Sequence, residues 1–137
     1  VNRFNILVAR YVRRDRQRRM TDWVKRCFGD GVADSLEERG ARLYEEACEL
    51  AQACGLKEEV AARISKRVWA NPPGEIAQEI GGVSTTLLVL AENRNLSADV
   101  CEQMEMERVE SLPADHFRKR HAAKTAAGMT IVTAKAA

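Results

Sequence analysis

Apolar residues recur along most of this chain at spacings of three and four, the interval that places them on one face of an α-helix. Between Ser35 and Gly55, the residues Leu43, Ala47, Leu50 and Cys54 fall within about 40° of one another on a helical wheel and define a stripe. Val60, Ile64 and Val68 repeat at four-residue intervals over about 57–70, and Ile76, Ile80, Val83, Leu87 and Leu90 form a third stripe over about 75–95. Cys101, Met104, Val109 and Leu112 continue the pattern beyond. Only the short MTIVT, at residues 129–133, alternates with a period of two. The pattern predicts an all-α chain, a four- to five-helix bundle.

Local signals set the ends of these helices. Ser35-Leu-Glu-Glu38 reads as a capping box, in which the Ser35 hydroxyl accepts from the Glu38 amide and the Glu38 carboxylate reaches back to Ser35. Gly55 reads as a C-terminal stop, Asn71-Pro-Pro-Gly74 as a break, Ser97 as an N-cap and Pro113 as the opening of a basic helix, DHFRKRHAAK. Before these, Met20 to Phe28 forms a short amphipathic piece closed by GDG at 29–31. The domain reading is a basic N-terminal extension at 1–19, a helical domain at 20–125 and a poorly ordered tail at 126–137.

Composition sharpens the picture in three places. At 137 residues, 45% hydrophobic and 31% charged, the chain has the balance of one ordinary globular domain. Its net charge of +2 is uneven, because residues 1–19 carry seven arginines against Asp15, a local +6 that leaves the rest at −4. That extension reads as a solvated appendage, with an arm for nucleic acid as the rival reading. No apolar run is long enough to span a membrane. Cys27, Cys48, Cys54 and Cys101 lack paired Cys-x-x-Cys spacing and read as reduced, mostly buried thiols of a cytoplasmic protein. Trp23 and Trp69 read as core residues, and His116 and His121 as surface groups.

The candidate chemistry lies in LYEEACELAQAC. Relative to the Leu43 stripe, Glu46 sits about 60° to one side, Glu49 about 120° and Glu45 roughly opposite. On the third helix Glu79 falls about 60° to the same side of its stripe, with Glu75, Gly82 and Thr86 just beyond. Packed side by side, the two helices would converge Glu46, Glu49 and Glu79 on one cleft, where carboxylates repel unless a cation compensates. All-oxygen ligands suit Mg²⁺, with Mn²⁺ as a substitute. The rival reading is a solvated acidic surface, with Arg42 three and four residues before Glu45 and Glu46.

EEACE at Glu45 to Glu49, followed by QEIGGV at Gln78 to Val83, resembles the all-α nucleoside triphosphate pyrophosphohydrolases of the MazG-like superfamily. TDWVKRCF, ELAQACG and RKRHAAK extend the resemblance to a small single-domain branch over about residues 21–125. The resemblance implies a fold of that type, a homodimer or higher homo-oligomer, and Mg²⁺-dependent release of pyrophosphate and a nucleoside monophosphate from a nucleoside triphosphate. It implies Glu46, Glu49 and Glu79 as metal ligands and Glu45 as the carboxylate that orients or activates water. Arg118, Lys119 and Lys124, with Arg120, are the candidate phosphate binders. The family's ExxD aspartate falls at Gly82, so a catalytically weakened member that binds nucleotide as a sensor or interaction module is a second reading. A basic-armed nucleic-acid adaptor is a third, and nucleic acid is not the expected partner.

Overall fold

A computed structural model describes the backbone of residues 3–134 and the side chains of Arg3 and of residues 13–134. Arg10 of the basic extension therefore lies outside the described side chains. Seven helices make up the described chain: α1 Arg3–Phe28, α2 Asp30–Asp34, α3 Leu36–Ala53, α4 Glu58–Trp69, α5 Ile76–Asn93, α6 Ala98–Ser111 and α7 Ala114–Ala126. The all-α expectation holds, and no strand occurs among the described residues. Two boundaries differ from the reading of the sequence. α1 runs without a break through Met20, so the basic extension and the amphipathic piece share one helix. GDG interrupts only at Gly29, whose φ of 89° suits a residue without Cβ, and α2 restarts at Asp30.

Three helices end in the same way. At the end of α3 the Leu56 amide donates to the Ala51 carbonyl at 3.0 Å and the Gly55 amide to Gln52 at 2.9 Å. Asn95 and Leu96 close α5 with the same pair of bonds, and Gly128 and Met129 close α7. Gly55, Asn95 and Gly128 all have positive φ, the left-handed residue of a Schellman motif. An apolar residue follows each of them. The starts are equally local, for the Ser35 hydroxyl accepts from the Glu38 amide at 3.2 Å and the Ser97 hydroxyl from the Val100 amide at 3.3 Å.

The chain divides into two compact units, Val1–Glu45 with Val109–Ala137, and Glu46–Arg108. In the first, α1 packs against α2 and α7. Cys27, Val109 and Phe117 are buried there, with Met20, Trp23, Phe28, Leu112 and Ala114 around them. Trp23 meets Phe117 edge to face at 4.8 Å and Phe28 at 6.0 Å, the geometry that ring quadrupoles favour. Residues 126–137 read as a poorly ordered tail, yet Met129 to Val132 make hydrogen bonds to this unit.

The second unit is different in kind. Its helices form as expected, but Leu50, Ile64, Val68, Ile80, Val83 and Leu87, the stripes that the periodicity marks as core, are about half exposed or more. Trp69, read as a core residue, is 81% exposed. Cys48, Cys54 and Cys101 are exposed too, and of the four free thiols only Cys27 is buried. Burial pushes the Cys27 thiol up, partly opposed by Arg26 and Arg118. Periodicity identifies a face that suits burial; covering it takes a partner surface, which this unit does not supply from its own described residues. None of the described helices is long and apolar enough to cross a membrane.

Candidate functional site

The two carboxylates that begin the acidic motif have different surroundings. Glu45, in the first unit, is tied down: its Oε2 accepts from Arg42 Nη1 at 2.6 Å and from Lys124 Nζ at 2.8 Å. One oxygen holding two cations is a structural bridge between α3 and α7, and in this arrangement it is occupied rather than aimed at a water. Glu46 opens the second unit and is exposed, as are Glu49 and Glu79. Neither a hydrogen bond nor an ion pair ties these three to another described residue. Arg108 lies near enough to Glu46 to feel its charge, although its own partner is Glu105 at 2.6 Å.

The expected convergence does not occur within one chain. No three His, Cys, Asp or Glu side chains among the described residues are gathered closely enough to hold a metal ion. α3 and α5 are not among the helix pairs that pack extensively. Glu46 and Glu49 remain one turn apart on α3. Glu79 instead folds back toward the start of α5, where its carboxylate fills the space that a Cβ on Gly74 would take. Around Gly82 the space is open, with no atom within 4 Å of where a Cβ would stand. The Gly82 carbonyl accepts from Thr85 at 3.0 Å and from Thr86 at 2.8 Å.

The candidate phosphate binders also separate. Arg118 donates to the Cys27 carbonyl at 2.9 Å and the Arg26 carbonyl at 3.2 Å, closing the C-terminal end of α1, where free carbonyls carry partial negative charge. That work is structural. Lys124 is held by Glu45, while Lys119 makes only an exposed bridge to Asp115 at 3.1 Å and keeps most of its surface. An exposed pair of this kind leaves the ammonium available, since it contributes little stability.

Three residues take a part that the sequence did not assign to them. Glu38 is fully buried, and its Oε2 accepts from the backbone amides of Ile131 at 2.6 Å and Val132 at 3.0 Å. Only half of the expected capping box therefore forms, because the carboxylate leaves Ser35 for the C-terminal segment. Arg42 lies beside it, with Nε 3.3 Å from Glu38 Oε1. Burial pushes the Glu38 carboxyl up, but the Val132 and Ile131 amides, Arg42 and His121 together hold it below its ordinary range. His121, read as a surface group, is buried, with Nε2 3.0 Å from the Val132 carbonyl and its ring 5.2 Å from Phe28. The signal that could have pointed to Glu38 and Arg42 is their spacing of four, ahead of the acidic motif. Comparison with protein families, with curated proteins and with solved structures yields no match for this chain.

Proposed function

We propose that this chain is a Mg²⁺-dependent nucleoside triphosphate pyrophosphohydrolase, acting in the cytoplasm as a homodimer or higher homo-oligomer of the MazG-like helical type. The observation that carries the proposal is that Glu46, Glu49 and Glu79 stand exposed, without a hydrogen bond or ion pair to another described residue, on helices whose apolar stripes are also exposed. Unpartnered apolar faces of this extent belong to surfaces that associate. Mg²⁺ is commonly held by one or two carboxylates together with water and substrate phosphates, and the Glu46 and Glu49 pair fits that donor set. Glu79 is not gathered with them in one chain, so its part rests on self-association. Bound there, the ion would supply charge stabilisation at the phosphate oxygens. Of Arg118, Lys119 and Lys124, Lys119 is the least engaged, and Lys124 would first have to leave Glu45.

The test is pyrophosphate release from a panel of ribo- and deoxyribonucleoside triphosphates with Mg²⁺, paired with sedimentation velocity on the same preparation. Release by an oligomer supports the proposal; a monomer without turnover sinks it. Ile80→Lys puts a charge on an exposed apolar position of α5 and is expected to shift the protein toward monomer while the helical circular dichroism stays unchanged.

Gly82 favours a second reading, in which nucleotide binds without turnover and is detected as thermal stabilisation. Gly82→Asp separates the two. The open space admits the side chain, and removing a mid-helix glycine relieves a cost of about 0.5–1 kcal/mol relative to alanine, so folding should not suffer. Turnover is expected to be preserved or raised. If the wild type is inactive and Gly82→Asp gains turnover, the binding-only reading replaces the enzymatic one.

A further inference from the structure

We infer that Met129–Val132 is a releasable strap, locked onto the first turns of α3 by the Glu38 carboxylate and able to leave while the helices stay folded. The grip is polar. Glu38 accepts from the amides of Ile131 and Val132, Arg42 Nη2 donates to the Met129 carbonyl, and His121 Nε2 meets the Val132 carbonyl. The Thr130 hydroxyl adds a bond to Thr125 at 2.9 Å. The apolar contribution is small by comparison, since Met129 and Ile131 are about half exposed. Val132 is half-buried, and its methyl approaches the Cβ position of Gly31 at 3.9 Å.

A short segment held by charge-assisted bonds, with little buried apolar surface, belongs to the low end of the local stability scale. Opening is also self-compensating. While the strap is docked, Glu38 Oε1 and Arg42 Nε meet only each other, as a buried ion pair at 3.3 Å outside hydrogen-bond geometry, and release would let water reach both. The charged and titratable groups facing Glu38 are Arg39 and Arg42 on its own helix and His121 on α7. Because Arg42 holds Met129, Glu38 and Glu45 with one guanidinium, the state of the strap is communicated to the Glu45–Lys124 bridge.

Amide hydrogen exchange by NMR tests this on the full chain, with the Cys27 and Val109 amides as reports on the helices. In the wild type the Ile131 and Val132 amides are expected to exchange more slowly than in a free peptide of residues 126–134, yet faster than Cys27 and Val109. Glu38→Gln should speed exchange at Ile131 and Val132 by about tenfold, the scale of one charge-assisted hydrogen bond. Cys27 and Val109 should stay unchanged. Ile131→Pro keeps the test decisive if Glu38→Gln fails to fold, because it removes one donor from a half-exposed position and should speed exchange at Val132 alone.

The sign of the pH dependence follows from a lowered carboxyl. Protection normalised for intrinsic exchange should be complete above the ordinary carboxylate value of about 4.3. It should fall as pH drops through the lower folded value, and Glu38→Gln should abolish the dependence. Peptide-like exchange in the wild type, unchanged protection in Glu38→Gln, or strap amides that exchange only together with Cys27 and Val109 would each overturn the inference.

Discussion

Phe117→Ala is expected to destabilise the first unit by about 3–5 kcal/mol, the range for truncating a buried phenylalanine. The ring is 7% exposed and shares a small core with Cys27 and Val109, so few neighbours can collapse into the space it leaves. Its loss also removes the edge-to-face contact with Trp23 at 4.8 Å, which holds α7 against α1. Arg118, the next residue, donates to the last carbonyls of α1, so a displaced α7 would weaken those bonds as well. Urea unfolding followed by Trp23 fluorescence reads the effect, with Phe117→Leu as the control that keeps most of the apolar area. Because Trp69 is exposed and would add its own signal, the measurement belongs in a Trp69→Phe background. A loss below about 0.5 kcal/mol, the scale of an ordinary surface change, would contradict the placement of Phe117 in the core.

The helix ends were legible in the sequence for a physical reason. A cap or a stop is settled within a few residues, so Ser35, Gly55, Pro72, Ser97 and Pro113 act wherever the rest of the chain goes. Asn95 shows the same economy, adopting φ 54° in the place glycine takes elsewhere. What the sequence could not disclose was whether each apolar stripe is covered. The wheel that placed Leu87 and Val83 on one face was right about the face, but cover is a property of distant segments or other molecules.

The same division runs through the candidate site. Glu38 was legible as the third residue after a cap, which accounts for the 3.2 Å bond from its amide to Ser35. Its carboxylate is governed by amides 93 and 94 residues away, and no local signal announces them. Glu45 was legible as the member of the acidic motif that points away from the stripe. Its partner Lys124 is 79 residues distant, so the pairing of Glu45 could not be read from helical spacing. Glu46, Glu49 and Glu79 lie on helices, as expected, but their convergence required an extensive packing of α3 on α5 that is not found among the described residues.

That contrast sets the prediction with the largest expected effect on activity. If pyrophosphate release is observed, Glu46→Gln should reduce it by about a hundredfold or more. The substitution keeps the size of the side chain while removing the charge that binds the ion and, with it, several kcal/mol of charge stabilisation. Glu79→Gln should have the same effect in the oligomer, and its dependence on protein concentration should follow that of the wild type. Glu45→Gln should behave differently. Its carboxylate already serves Arg42 and Lys124, so the expected result is lower stability from a weakened α3–α7 bridge, with turnover reduced by less than about tenfold. Measuring kcat and KM together with thermal midpoints separates the two kinds of effect. Should Glu45→Gln abolish turnover while the midpoint is unchanged, the carboxylate must leave its bridge during catalysis and take the water-activating role. Should Glu46→Gln and Glu79→Gln leave hydrolysis intact in a preparation free of contaminating phosphatase, the exposed carboxylates of α3 and α5 are solvated surface and the active site lies elsewhere.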